Sequence, residues 1–155
     1  MKTLVLLNFL VSLTMMGIII VTQIVSYPMF LNVNKQNFTS FHSEYVKRIT
    51  SIVMPIMILE LAISVALFFM FDGILAAVCL ITLILIFIST GLIQVPIHEK
   101  LKVKYDEYLT RKLIKSNWIR TSLWTVKSFA SYNIIIKELF WISLSLGLQE
   151  VLVHA

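Results

Sequence analysis

The chain has 155 residues, 59% of them hydrophobic, with a mean hydropathy of +0.91. No polar segment is long enough to bury a soluble core of its own, so 1-155 is expected to form a single transmembrane domain. The net charge of +5 comes from thirteen Lys and Arg that flank apolar stretches and are not interleaved with exposed aromatics, a pattern that suits anionic membrane lipid as a partner and argues against nucleic acid.

Three stretches meet the length of about 20 apolar residues that a helix needs to cross a bilayer core. The first, Leu4–Tyr27, follows Met1-Lys2 in the manner of a signal peptide. Its apolar run is too long for an h-region and no small-residue cleavage pattern follows, so it is read as the first transmembrane helix. Pro28 is expected to end it, because the residue before a proline is driven out of the helical region. Turn residues follow over Asn32–Asn37. A second helix is expected over 40–71, starting at Thr39 or Ser40 with Glu44 in its first turn and kinked near Ser51–Pro55. Phe71-Asp72-Gly73 is so short a turn that a third helix over 74–95 must run antiparallel to the second. The polar stretch His98–Ser116 reads as a loop.

A fourth helix is expected over 117–137. At about 100° per residue, Asn117, Arg120, Thr121, Trp124, Lys127, Ser128 and Ser131 fall on one stripe, while Ile119, Leu123, Val126, Phe129 and Ala130 fall on the other side. The stripe suits an inward polar face; it also suits an amphipathic helix lying in the interface. The tail, 138–155, either continues this helix or folds back, and His154 within it is read as incidental. The expected fold class is all-α, an integral membrane four-helix bundle. Lys35, Lys47, Arg48 and six further Lys and Arg residues between Lys100 and Lys115 lie at one end of such a bundle, which has only Lys2 at the other. The positive-inside rule therefore places both long loops in the cytoplasm and the N-terminus outside.

Polar residues inside this scaffold gather at the same end. The antiparallel order brings Gln23, His42, Gln94, His98, Asn117 and Arg120 together beneath the basic third loop, with Thr90, Gln94 and His98 stacked at four-residue intervals. His42, His98, Arg120 and Asn117 are the candidate catalytic residues, and Gln23, Glu60, Gln94, Trp118 and Trp124 the candidate buried polar or ligand-binding residues. Each has a plainer reading. Gln, Asn, Ser and Thr in spans commonly bond neighbouring helices, and Trp118, Trp124, Tyr27 and Tyr45 suit interfacial anchors. Glu60, with no cation in its own span, is expected to be buried and neutral, in a structural or a functional role. Cys79 alone excludes an intrachain disulfide and a thiolate zinc site, and two histidines without a third ligand do not make a metal site. No flavin, haem or nicotinamide motif occurs, so the cofactor is unknown; a bis-histidine haem would require His42 and His98 to face each other across the bundle.

The string Gln94-Val95-Pro96-Ile97-His98-Glu99-Lys100-Leu101, followed by Asn117-Trp118-Ile119-Arg120-Thr121 and Trp124, resembles the end of helix three and start of helix four in the small bacterial membrane family that includes anthrone oxygenase-like proteins. His42, within Phe41-His42-Ser43-Glu44-Tyr45, sits where that family also tends to carry a polar residue. The likeness spans roughly Gln23 to Lys127, and His98 stands where the family often has Asn. It implies a four-helix fold, a bacterial inner membrane location, and oxygen-dependent oxidation of an aromatic polyketide as one member activity. Two function classes stay open. One is an oxidoreductase or oxygenase acting on a lipophilic small-molecule substrate, with His42 or His98 as base and Arg120 with Asn117 holding the oxyanion. The other is a non-catalytic membrane binding or accessory subunit, for which an oligomer is open.

Overall fold

The computed structural model describes residues 2–71 and 73–153, with side chains through 140; His154 lies outside the described residues. Every element among them is helical. Helices α1 (Lys2–Asn32), α2 (Phe38–Met70) and α3 (Ile74–Val103) are long and apolar enough to cross a membrane. Helix α4 (Glu107–Val153) runs for 47 residues. Short connections make neighbours antiparallel, and α4 and α2 each pack against both α1 and α3, which closes a four-helix bundle.

Three layers of apolar side chains fill the bundle. Val5, Leu67, Ala76, Cys79 and Ile134 pack at the α2–α3 turn, Met15, Met57, Leu83, Ile86 and Trp124 in the middle, and Phe30, Phe38, Leu101 and Leu113 at the far end. Leu10, Ile24, Ile58, Phe69, Ile84 and Phe129 point outward instead. A continuous apolar exterior of this kind is the signature of a lipid-facing surface, since water would drive it to associate. The chain is thus built as an integral membrane protein.

Several boundaries differ from the sequence reading, each for a local reason. Helix α1 does not stop at Pro28. Its last turns pass through a π segment, Thr22–Ser26, in which the Tyr27 amide donates to the Thr22 carbonyl. The wider turn moves aside the carbonyl that the proline ring would otherwise strike, so the helix continues beyond it. The same device recurs in α3, where the π segment Thr90–Gln94 has the Val95 amide donating to Thr90 just before Pro96. Pro55 likewise lies inside α2 without ending it.

The expected loop His98–Ser116 is mostly helical. Helix α3 extends to Val103, and α4 begins ten residues before Asn117, leaving only Lys104-Tyr105-Asp106 between them. Asp106 caps α4, accepting at its Oδ1 from the Leu109 amide at 2.9 Å. Glu99 with Lys102 and Glu107 with Arg111 form pairs on the exposed face of these turns. Ile97, Leu101 and Leu113 are buried on the inner face, which is what makes a lysine-rich stretch helical here. After Lys137 the chain continues the helix, as one of the two alternatives had it.

Candidate functional site

The fourth-helix stripe faces inward. Asn117, Arg120, Thr121, Trp124, Lys127, Ser128 and Ser131 are all buried, while Ile119, Val126 and Phe129 are exposed. Two of the expected outward set depart: Ala130 packs in the core at the α2–α3 turn, and Leu123 is partly buried against the middle layer. The two π segments do the corresponding work on α1 and α3. They turn Thr22, Gln23 and Gln94 into the bundle close to Arg120, and π segments inside α-helices frequently mark functional positions.

Two hydrogen-bonded chains meet there. In the first, Tyr27 Oη lies 3.0 Å from His98 Nε2, and His98 Nδ1 lies 3.0 Å from His42 Nε2. The histidine rings stack with centroids 5.1 Å apart, and His42 stacks in turn on Phe38. A ring that donates at one nitrogen accepts at the other, so the chain has two polarities. If Tyr27 donates, the proton chain ends on His42 Nδ1; if His42 donates from Nε2, the Tyr27 hydroxyl hydrogen is left free. His42 Nδ1 is buried with no partner. Because the two imidazoles bond each other directly, they do not face each other across a gap of the kind a bis-histidine haem requires.

The second chain positions Arg120. Gln23 donates from Nε2 to the Ile114 carbonyl at 3.1 Å and accepts at Oε1 from Asn117 Nδ2 at 2.9 Å. Asn117 Oδ1 then accepts from Arg120 Nη1 at 3.3 Å. The guanidinium lies 5.3 Å over the Trp124 ring and beside the Tyr27 hydroxyl. Its Nε is buried and unpartnered. No carboxylate pairs with Arg120 among the described residues: Glu99 is taken by Lys102 and Glu44 by Arg48.

These chains border a cavity of about 290 Å³ between α1, α2 and α3, with Arg120 at its inner wall. Met15, Ile18, Ile19, Val53 and Met57 form its apolar side. Thr22, Tyr27, Thr90, Gln94, His98 and Arg120 form its polar side, and Glu99 and Lys102 its rim. Gln94 Nε2 and Thr90 Oγ1 are, like Arg120 Nε, buried without partners. Gln94 and Arg120 present only donors at these atoms, so the complementary ligand brings acceptor oxygens. Of the four candidate catalytic residues, His98 and Arg120 line the cavity. His42 and Asn117 do not; they stand behind, each holding a lining residue.

The remaining candidates separate. Trp124 is fully buried and Gln23 supports Asn117, but Trp118 is half exposed on the lipid side, away from the cavity. Its position next to Asn117 in sequence turns it about 100° off the inward stripe, and it is an outer side chain rather than a buried one. Glu60 is buried, yet the reasoning that left it without a cation fails. Lys127 of α4 places Nζ 2.8 Å from Glu60 Oε1, both side chains fully enclosed. Ser12 and the Trp124 indole donate to the two carboxylate oxygens at 3.1 Å each, and Lys127 also donates to Ser12 at 2.6 Å and Asn8 at 3.4 Å. Glu60 therefore belongs to a closed network joining α1, α2 and α4, one turn deeper than the cavity.

Tyr27, read from sequence as an interfacial anchor, is instead part of the site. The available signal was its spacing of one turn from Gln23. Among the described residues no three His, Cys, Asp or Glu side chains converge as metal ligands. The fold and the cavity define an α-helical membrane bundle with a polar-walled chamber near one end of its spans. Compared with protein-family models, with curated proteins and with solved structures, the chain matches none.

Proposed function

We propose that the cavity holds a lipophilic substrate bearing an acidic oxygen or an enolisable carbonyl, and that the protein is an oxygen-dependent oxidoreductase acting on it. The observation that carries this reading is Arg120, a buried guanidinium on the chamber wall that has no carboxylate partner among the described residues and whose Nε is unpartnered. An always-charged group so enclosed is stabilised by an anionic ligand, and binding energy of this type is largest where charge develops during reaction. His98 is the base. It takes the proton through Tyr27, because its Nε2 bonds the Tyr27 hydroxyl and its Nδ1 bonds His42: the hydroxyl on the cavity wall accepts the substrate proton as it passes its own to Nε2. His42 and Asn117 are positioning residues, since they act through His98 and Arg120.

The likeness to anthrone oxygenase-like proteins supplies a concrete substrate. An anthrone loses a methylene proton through Tyr27 to His98, and the oxyanion of the resulting anthranolate rests on Arg120. Dioxygen accepts electrons from the ring and adds at the same carbon, and loss of water leaves the anthraquinone. Anthrone and dioxygen thus give anthraquinone and water, with no further reductant. Under argon in deuterated buffer, the protein in lipid nanodiscs is expected to accelerate exchange of the anthrone methylene protons. His98→Asn is expected to slow that exchange by about 100-fold. Exchange unchanged in the variant would remove His98 from the role of base.

For orientation, the concentration of Lys and Arg at the cavity end supports a cytoplasmic placement of that end in a bacterial inner membrane. In a Cys79→Ala background, cysteines replacing Lys35 or Lys104 should resist an impermeant reagent in intact cells. Labelling at either position would reverse the orientation. A second reading, a non-catalytic accessory subunit, is favoured by one observation: the Glu60–Lys127 network is closed and uses its polar groups to join helices.

A further inference from the structure

The chamber is open on one side, and its opening has a direction. Its mouth lies between α2 and α3, where the cavity-lining side chains of Met54 and Val95 are 49% and 48% exposed on the apolar flank, while Glu99 and Lys102 flank the polar side. Outside the mouth a shallow, almost wholly apolar groove follows one stripe of α2, from Thr50 and Met54 past Pro55 to Ile58, Leu59 and Ala62. Thr50 and Met54 belong to both the chamber and the groove. The groove thus begins where the chamber opens and runs down the helix from the basic end toward the depth of Glu60. From Met54 to Ala62 it covers about 12 Å, a stretch that a medium-length alkyl chain spans.

We propose that the ligand is a single-tailed amphiphile, with its oxygen-bearing head in the chamber on Arg120, Gln94 and Thr90 and its chain leaving through the Met54–Val95 mouth to lie along α2. This goes beyond the functional reading, whose test substrate, anthrone, has no tail and probes the head site alone; it rests on that reading only for the chemistry done on the head. Three observations converge on it. The orphaned donors of Arg120 and Gln94 call for acceptor oxygens, so the head is anionic or carbonyl-bearing. The chamber, at about 290 Å³, is large enough for a head but closes inward on buried Met15 and Met57, so a chain has only the mouth as its way out. The direction of the groove, from the charged end of the bundle toward mid-membrane, is also the direction in which an amphiphile lies in its leaflet, so entry from the bilayer needs no inversion.

The test uses dodecanoic acid carrying a photoreactive diazirine at the end of its chain, with the full-length protein in neutral-lipid nanodiscs under argon. Adducts are expected to concentrate on α2 between Met54 and Ala62. Excess dodecanoate should displace them, a dodecyl trimethylammonium salt should not, and Arg120→Leu should lower them at least tenfold. Helix content and unfolding of Arg120→Leu are measured alongside, and Met54→Trp, an exposed replacement at the mouth, gives an independent arm in which the α2 adducts should also fall. Labelling spread evenly over the outward stripes of all four helices, or equal displacement by the cationic amphiphile, would overturn the proposal. Failure of anthrone exchange with the adduct pattern intact would instead count against the oxidoreductase reading and leave the amphiphile site standing.

Discussion

Glu60→Leu with Lys127 retained is expected to cost about 3–5 kcal/mol of folding stability, because an ammonium enclosed among four helices loses its counter-charge and has no water to replace it. Lys127→Met is expected to cost a similar amount by stranding the carboxylate. The pair is fully buried and each partner is held by further bonds from Ser12, Asn8 and Trp124, so neither charge has a route to the headgroups. Combining the two replacements removes both charges together. The double variant should recover more than half of the summed loss, the remainder reflecting the Ser12 and Trp124 donors left without an acceptor. Unfolding titrations of the four proteins in mixed micelles measure this directly. A double variant as unstable as the sum of the single ones would show that the pair has no coupling and that the network is not held together by it.

How much of this was legible in the sequence follows from the range of each signal. Three spans, the α2–α3 hairpin and the inward stripe of α4 are set by hydropathy and by the helical repeat, both visible within a window of about 20 residues. The convergence of Gln23, His42, Gln94, His98, Asn117 and Arg120 at one end followed from antiparallel order alone, and the structure brings all six together. Continuation through Pro28 and Pro96 was not legible, because proline chemistry argues for a stop and only the preceding π turn removes the clash. The helical turns around Lys100–Lys115 were hidden by their charge, although Ile97, Leu101 and Leu113 carried the buried face. Lys127 was visible on the stripe, but pairing it with Glu60 requires the relative depths of two helices that are 67 residues apart in sequence. Tyr27 and Trp118 exchanged roles for the same kind of reason: an aromatic near a span end is anchor or wall according to its helical angle, and a π turn shifts that angle.

Arg120→Lys is expected to leave the bundle folded and to lower kcat/KM for anthrone oxidation by about 100-fold, the scale of losing a preorganised donor to a developing oxyanion. The guanidinium on the chamber wall donates to Asn117 and covers the Trp124 ring while its Nε stays unpartnered. A lysine ammonium is a point charge on a flexible stem and cannot hold these directions together. Because the lost contact is to a charge that forms during reaction, the change should fall mainly on kcat, with KM moving little. The most direct measurement is the simultaneous record of oxygen uptake and anthraquinone absorbance for the wild-type protein and Arg120→Lys in nanodiscs supplied with anthrone. The account requires equal amounts of oxygen consumed and anthraquinone formed by the wild type, and a rate about 100-fold lower in the variant. A wild-type rate equal to that of empty nanodiscs, or an Arg120→Lys protein that oxidises anthrone as fast as the wild type, would contradict it.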